Sequence, residues 1–261
     1  MIKLAANLSF LYTEVPFRDR FALAAEDGFD AVEYLFPYEY TASELAELLA
    51  AHNLTQALFN LFPGNWDKGE RGLASLPDRQ SEFQESVFQA ISYATALGCK
   101  QLHVMAGLNS SQISKEAQTA LYVQNLTWAA EHAAQKDITL TIEPINPIDM
   151  PGYFLCDFDQ AAKIVKDINS PNLRLQFDFY HCHRIYGTVL DRLQEYLPLT
   201  THIQIASPPL RSEPGTGELA YAPLFSHLER QGYDGFIGCE YKPLKDSKSS
   251  LKWAAPYLAT G

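Results

Sequence analysis

Two hydrophobic periods take turns along this chain. Alternating or short apolar runs occupy residues 3–9 (KLAANLS), 30–36 (DAVEYLF), 55–60 (TQALFN), 100–107 (KQLHVMAG), 138–143 (ITLTIE), 173–179 (LRLQFDF), 201–207 (THIQIAS) and 235–240 (GFIGCE). These read as eight β-strands. Between them, apolar residues recur at three- and four-residue spacing. The clearest case is Phe83, Val87, Ala90, Ile91, Ala94 and Leu97, closed by Gly98 where a helix C-cap belongs. A second helix opens at Thr41 with Glu44 three residues on, a capping-box pattern ahead of Leu45, Leu48 and Leu49. A third follows Asp157, with Phe158, Ala161, Ala162, Val165 and Ile168 on one face. Strand then helix, eight times and without a linker-like break in composition, predicts a single (β/α)8 TIM-barrel domain over residues 1–261.

Parity within the strands locates the chemistry. Ile138, Leu140 and Ile142 share one face of their strand, and Thr139, Thr141 and Glu143 share the other. Leu173, Leu175 and Phe177 oppose Arg174, Gln176 and Asp178 in the same way. In a barrel the apolar face packs on the outer helices and the polar face lines the interior. The same parity turns Asn7, Glu33, Asn60, His103, Gln204 and Glu240 inward. Glu143, Asp178, Gln204 and Glu240 each end an apolar run, roughly one strand-plus-helix unit apart. Four oxygen donors converging at the C-terminal end of a barrel suit a hard divalent cation, and proton transfer beside a carbonyl that the cation polarises. Glu33 and His103 face inward without a motif to give them a role; His183 and His202 read as structural.

Three long connections rich in Gly and Pro leave the same end, at residues 61–77, 144–155 and 207–218. Loops of that length in a compact fold usually serve a site. Phe62, Trp66 and Tyr153 are candidates to shield the mouth, and Arg71 and Arg211 to meet an anion there.

Composition narrows the function. A net charge of −11 and a pI near 5.0 repel nucleic acid and anionic membrane, leaving a small anionic substrate to a few focused cations. The first ten residues carry one lysine and turn polar at once, and no apolar run approaches a membrane span, so a cytoplasmic protein is expected. The four cysteines, at 99, 156, 182 and 239, lack Cys-x-x-Cys spacing and read as buried free thiols. Homo-oligomerisation is the usual case for proteins of this kind.

Several segments, taken in order, resemble the hydroxypyruvate isomerase family within the wider xylose-isomerase-like barrels. They are AANLSFL (5–11), FDAVEYLFPY (29–38), GERGLASLP (69–77), IEPIN (142–146), QFDFYH (176–181), HIQIA (202–206), EPGTGE (213–218) and GCEYKP (238–243). The resemblance implies an aldose–ketose isomerase acting on a small hydroxy-oxo acid through an ene-diolate, with hydroxypyruvate and tartronate semialdehyde as the pair. It implies a divalent ion, Mg2+ ahead of Mn2+, held by Glu143, Asp178, Gln204 and Glu240, with Glu143 and Glu240 also moving the proton. His181, Arg211 and Lys242 would then contact substrate. Many histidine-bearing relatives have a histidine where this chain has Gln204, a neutral oxygen donor that favours a magnesium-like ion.

The 2-oxo-tetronate isomerases share AANLS, TEVPF, FDAVE and GCEYKP, so that substrate, and ketose epimerisation on the same barrel, stay open beside hydroxypyruvate. A metal-dependent endonuclease of the abasic-site type is the remote alternative, since it calls for a histidine-rich cluster and a basic face.

Overall fold

The computed structural model describes residues 2–259. Eight parallel strands close into a barrel in sequence order: β1 (Lys3–Asn7), β2 (Ala31–Tyr34), β3 (Thr55–Asn60), β4 (Gln101–His103), β5 (Thr139–Ile142), β6 (Leu173–Asp178), β7 (Thr200–Ile205) and β8 (Phe236–Cys239). Between them run α1 (Arg20–Glu26), α2 (Ala42–Ala51), α3 (Gln80–Leu97), α4 (Lys115–Ala134), α5 (Phe158–Ile168), the pair α6 (Phe179–Tyr186) and α7 (Leu190–Tyr196), and α8 (Tyr221–Arg230). A single turn, α9 (Ser247–Ser250), follows β8. The (β/α)8 reading of the sequence therefore holds.

The helix boundaries follow the local chemistry. Thr41 and Glu44 form the full capping box at the start of α2, and Asp157 accepts the Gln160 N–H to start α5. Gly98 ends α3 at φ 66°, a left-handed conformation that glycine adopts without penalty. Each such cap contributes about 0.5–2 kcal/mol, enough to fix where a helix begins but not what it packs against.

Packing comes from the outward face of the strands. Phe177 of β6 sits 4.8 Å, ring to ring, from Phe158 of α5, and both are fully buried. Leu140, Ile142, Leu175, Ile203 and Ile205 are buried in the same core. Inside the barrel, Ala5, Ala31 and Ala57 form a separate small cluster against Phe236. Those small residues close one level of the interior, and the polar residues of the inner face lie further along the strands.

The strands are shorter than the apolar runs suggest. The run at 100–107 keeps only Gln101–His103 in the sheet, because the chain beyond His103 turns away and Ala106 bridges to Gly72. Glu143 and Glu240 accordingly lie one residue past β5 and β8. Register shifts in β2 between Val32 and Glu33, and in β6 between Leu175 and Gln176, fall where the inner face becomes polar. All four cysteines are free, three of them buried and Cys156 partly so. Among the described residues no helix is long and apolar enough to cross a membrane.

Candidate active site

A chamber of about 110 Å³ lies at the C-terminal ends of the strands. Its polar lining is Asn60, His103, Glu143, Gln176, His181, Gln204, Arg211 and Glu240; its apolar rim is Phe10, Leu35, Trp66, Met105, Ile145 and Met150. A larger open groove of about 620 Å³ lies at the opposite end, between Leu197, His227, Arg230 and Tyr233, with no carboxylate in its lining. Barrel chemistry belongs at the C-terminal end, and the carboxylates are there.

Five elements supply the charged groups. Glu143 follows β5, and its Oε2 accepts a hydrogen bond from Gln176 Nε2 at 3.1 Å. Asp178 ends β6 and caps α6, accepting the Tyr180 N–H at 2.7 Å through Oδ1. One helical turn on, His181 brings Nε2 to 3.6 Å from Asp178 Oδ2 and 3.9 Å from Glu143 Oε1. Glu240 follows β8, and its Oε2 accepts from Arg211 Nη2 at 2.7 Å. Arg211 comes from the β7–α8 loop with φ 57°, an uncommon backbone for a bulky residue. The Lys242 N–H to Arg211 carbonyl bond at 2.8 Å and the paired Ser207–Ser212 backbone bonds hold that loop. Its guanidinium also lies over Phe10 and Tyr180, at 5.0 and 5.2 Å from the ring centroids.

The electrostatics are those of crowded, dry acids. Burial, then Glu240 and Asp178, push the Glu143 carboxyl well above the usual carboxylate range. Burial pushes Asp178 up to about 6 and Glu240 up to about 8, with Arg211 opposing both. Burial lowers the Arg211 guanidinium, but Glu240, Asp178 and Glu143 outweigh it and hold it charged. Burial and then Arg211 push His181 well below its ordinary range. His103 is lowered to about 3 by burial and then by His202.

A divalent cation fits this donor set. Glu143 Oε1 and Asp178 Oδ2 are buried and lack hydrogen-bond partners, which is costly for carboxylate oxygens unless a cation takes them up. Donor atoms of Glu143, Asp178 and His181 lie within 4.8 Å of one another, so this buried group could hold a metal ion.

Gln204 is reached through a chain of amides. Its Nε2 donates to Glu33 Oε1 at 2.8 Å, and its Oε1 accepts from Gln176 Nε2 at 2.7 Å. Glu33 also takes hydrogen bonds from Asn7 Nδ2 at 2.9 Å and His202 Nε2 at 2.6 Å. A carboxylate only accepts, so Glu33 turns the Gln204 amino group to itself and leaves the carbonyl oxygen facing the Gln176 amide. That oxygen has a second lone pair for another partner.

The structure gathers Glu143, Gln204, Glu240, His181 and Arg211 around one chamber, and Asp178 lies beside it with Oδ2 3.6 Å from His181 Nε2. Lys242 is not among them: its side chain is exposed, on a neighbouring groove with Ser9, Phe10 and Lys245. Of the candidate shields only Trp66 lines the chamber. Arg71 stacks on the Trp66 ring at 3.9 Å and donates to backbone carbonyls, while the Tyr153 hydroxyl accepts the Ala106 N–H at 2.8 Å in the core. Phe62 lies on an adjoining groove. Sequence reasoning gave no role to Gln176 or to Phe10, Leu35, Met105, Ile145 and Met150 of the rim. Gln176 shares parity with Asp178 and was legible in that sense, whereas Met150 sits in a loop where parity carries no information.

The chain resembles known proteins over almost its whole length. The family model described as xylose isomerase-like TIM barrel matches residues 21–257. A 2-oxo-tetronate isomerase of Cupriavidus necator is 49% identical over 99% of both chains. The hydroxypyruvate isomerase of Escherichia coli is 42% identical over 98% of this chain and 100% of its own. A crystal structure titled AP endonuclease, family 2, from Brucella melitensis superposes with a TM-score of 0.96 at 45% identity, over 99% of this chain and 100% of that one. The chain belongs to the xylose isomerase-like TIM-barrel family, in the branch that holds the hydroxypyruvate and 2-oxo-tetronate isomerases.

Proposed function

We propose that this protein is an aldose–ketose isomerase that converts hydroxypyruvate to tartronate semialdehyde, or acts on an acid one carbon longer. The observation that carries the reading is one small chamber of about 110 Å³ bordered by both Glu143 and Glu240 and by a single guanidinium, Arg211. Clefts for drug-sized ligands run to roughly 300–1,000 Å³, so a chamber this small suits an acid of few atoms.

Glu143 and Glu240 leave β5 and β8, on different sides of the mouth, so each can reach a carbon of a substrate held between them. Carboxyls raised toward neutral pH exchange protons efficiently, a contribution of about 10²–10⁴-fold in rate. Glu143 takes the proton from the hydroxyl-bearing carbon beside the carbonyl, Glu143 or Glu240 returns one to the former carbonyl carbon, and the hydroxyl proton passes to the former carbonyl oxygen. Arg211 offers a planar pair of donors to the substrate carboxylate. His181 contacts a substrate oxygen. Trp66, Met150 and Phe10 exclude water from the intermediate. Glu143, Asp178, Gln204 and Glu240 would hold a divalent ion, which when bound would supply positive charge beside the substrate oxygens. An all-oxygen set of that kind suits Mg2+, with Mn2+ the other candidate.

A second reading, 2-oxo-tetronate as the substrate, is favoured by the 49% identity to a relative of that name. Deuterium uptake from D2O into hydroxypyruvate, 2-oxo-tetronate and longer ketoses, with and without chelator, separates the readings. Exchange into hydroxypyruvate that chelator abolishes, and that fails in Glu143→Gln and Glu240→Gln, is expected. Faster exchange into the four-carbon acid selects the second reading. Near-normal exchange in both glutamine variants sinks the mechanism. An abasic-site DNA substrate completes the panel; no incision is expected from an acidic chain, and metal-dependent incision would replace the isomerase reading.

A further inference from the structure

Asn146 and His181 meet beside the carboxylates, and the hydrogen bonds around them determine where the histidine carries its proton. Asn146 Oδ1 accepts two backbone N–H groups, from Ile148 at 3.1 Å and from Asp149 at 3.0 Å. A backbone N–H only donates, so this end of the amide is the oxygen and the other is the nitrogen. Asn146 Nδ2 then points at His181 Nδ1, 2.7 Å away. The backbone N–H of Asn146 is directed at the same ring nitrogen, at 3.4 Å. With two donors facing it, Nδ1 must offer its lone pair. Both the imidazolium and the Nδ1–H tautomer are excluded by this geometry, and the ring proton resides on Nε2.

We infer that Asn146 is a positioning residue that holds His181 as the Nε2–H tautomer, making the ring a hydrogen-bond donor to a substrate oxygen and removing it from the metal-ligand set. This rests on the isomerase reading for the donor role, but the tautomer itself does not.

The arrangement is the reverse of a metal-binding histidine. A ligating imidazole uses a bare nitrogen toward the ion and donates its other N–H to a carbonyl or carboxylate behind it. Here the group behind the ring donates, so the nitrogen facing Asp178 and Glu143 carries hydrogen. Proximity alone groups His181 with those acids. The hydrogen-bond pattern instead assigns the cation to oxygen donors and gives His181 an N–H aimed into the chamber. An oxygen that gains charge in the reaction would receive that N–H in a dry site, where such donors contribute most.

The test is long-range 1H–15N correlation spectroscopy of the full chain with 15N-labelled histidine, with His181 assigned by the signals lost in His181→Gln. A protonated Nε2 and a lone-pair Nδ1 are expected, unchanged when Mg2+ is added. A protonated Nδ1, or loss of the Nε2 proton on Mg2+ addition, overturns the inference. In Asn146→Asp a carboxylate faces Nδ1 and draws the proton there, and kcat for the best acid should fall about 10²–10³-fold with KM little changed, the scale of a lost oxyanion donor. A switched tautomer with kcat intact would overturn the donor role. Should that variant fail to fold, the wild-type spectrum and its Mg2+ titration decide the tautomer alone. A protein with no isomerase activity but a protonated Nε2 would defeat the functional reading and leave the tautomer standing.

Discussion

Arg211 Nη2 lies 2.7 Å from Glu240 Oε2 and 3.8 Å from Asp178 Oδ2, a partly buried cation set against buried acids. It opposes the burial that lifts the Glu240 carboxyl to about 8. Replacing Arg211 with Met removes that opposition, so Glu240 rises further and less of it is ionised at neutral pH. The rising limb of kcat/KM against pH should move to higher pH. Truncating one partner of a buried charge pair costs about 2–5 kcal/mol, so kcat/KM should drop at least tenfold. A limb that stays in place would show that Arg211 does not tune Glu240.

The raised carboxyls link stability to pH and to the cation. Free carboxyls titrate near about 4. Asp178 and Glu240 titrate at about 6 and about 8 when folded, and Glu143 higher than usual. The folded state therefore binds more protons than the unfolded state across that window. The stability these groups contribute is present in the acid range and is lost as pH rises through the folded values. A divalent ion needs them deprotonated, so it binds more tightly at high pH. Thermal unfolding in chelator and in excess Mg2+ should show a larger Mg2+-induced rise in Tm near about pH 8 than near about pH 5. Equal rises at both pH values would refute the linkage.

Gly238 is demanded by Glu33. A Cβ at position 238 would sit 2.2 Å from Glu33 Oε1, the atom that anchors the Gln204 amide. Gly238→Ala should therefore cost about 1–3 kcal/mol, the usual penalty for overpacking a core. It should also weaken Mg2+ binding, because Gln204 loses the acceptor that orients it. Calorimetric Mg2+ titration and chemical denaturation check both effects; wild-type values in each would dismiss the Glu33–Gln204 link.

Trp66 separates the chamber from a groove of about 510 Å³ lined by Phe36, Tyr38 and Phe62. Arg71 stacked on one face and Phe36 at 5.2 Å fix the indole. Trp66→Ala should open the two spaces to each other and shift the ratio of kcat/KM for longer ketoses over small acids by about tenfold or more. An unchanged ratio would mean that the wall setting substrate length lies elsewhere.

Much of the fold was legible in the chain because strand parity and helix capping are local. Side chains alternate across a strand wherever it runs, so ITLTIE and LRLQFD alone announce an inner face carrying Glu143, Gln176 and Asp178. The limit is reached where the strand ends. Lys242 shares parity with Glu240, yet the backbone leaves the sheet after Cys239, with the Glu240 N–H turning back onto the Gly238 carbonyl at 3.0 Å. Parity no longer transmits there, and Lys242 faces outward. His181 shows the converse. Three residues after a helix-capping Asp178, one helical turn returns it to the acids, a relation the chain already contains.

By itself, then, the sequence determined the barrel, the end of it that carries chemistry, and the acids at that end. Each of these follows from backbone geometry over a few residues. Tertiary structure alone decided what the acids and amides do to one another. Glu33 orients Gln204 from 171 residues away, Arg211 reaches Glu240 across the β7–β8 connection, and Asn146 sets His181 from 35 residues away. The first of these contacts depends on barrel closure, which pairs β8 with β1 and so brings β2 and β7 to opposite walls of one dry interior; the other two join the ends of neighbouring strands. Protonation and hydrogen-bond direction are set there by neighbours in space, and the order of residues along the chain does not encode them locally.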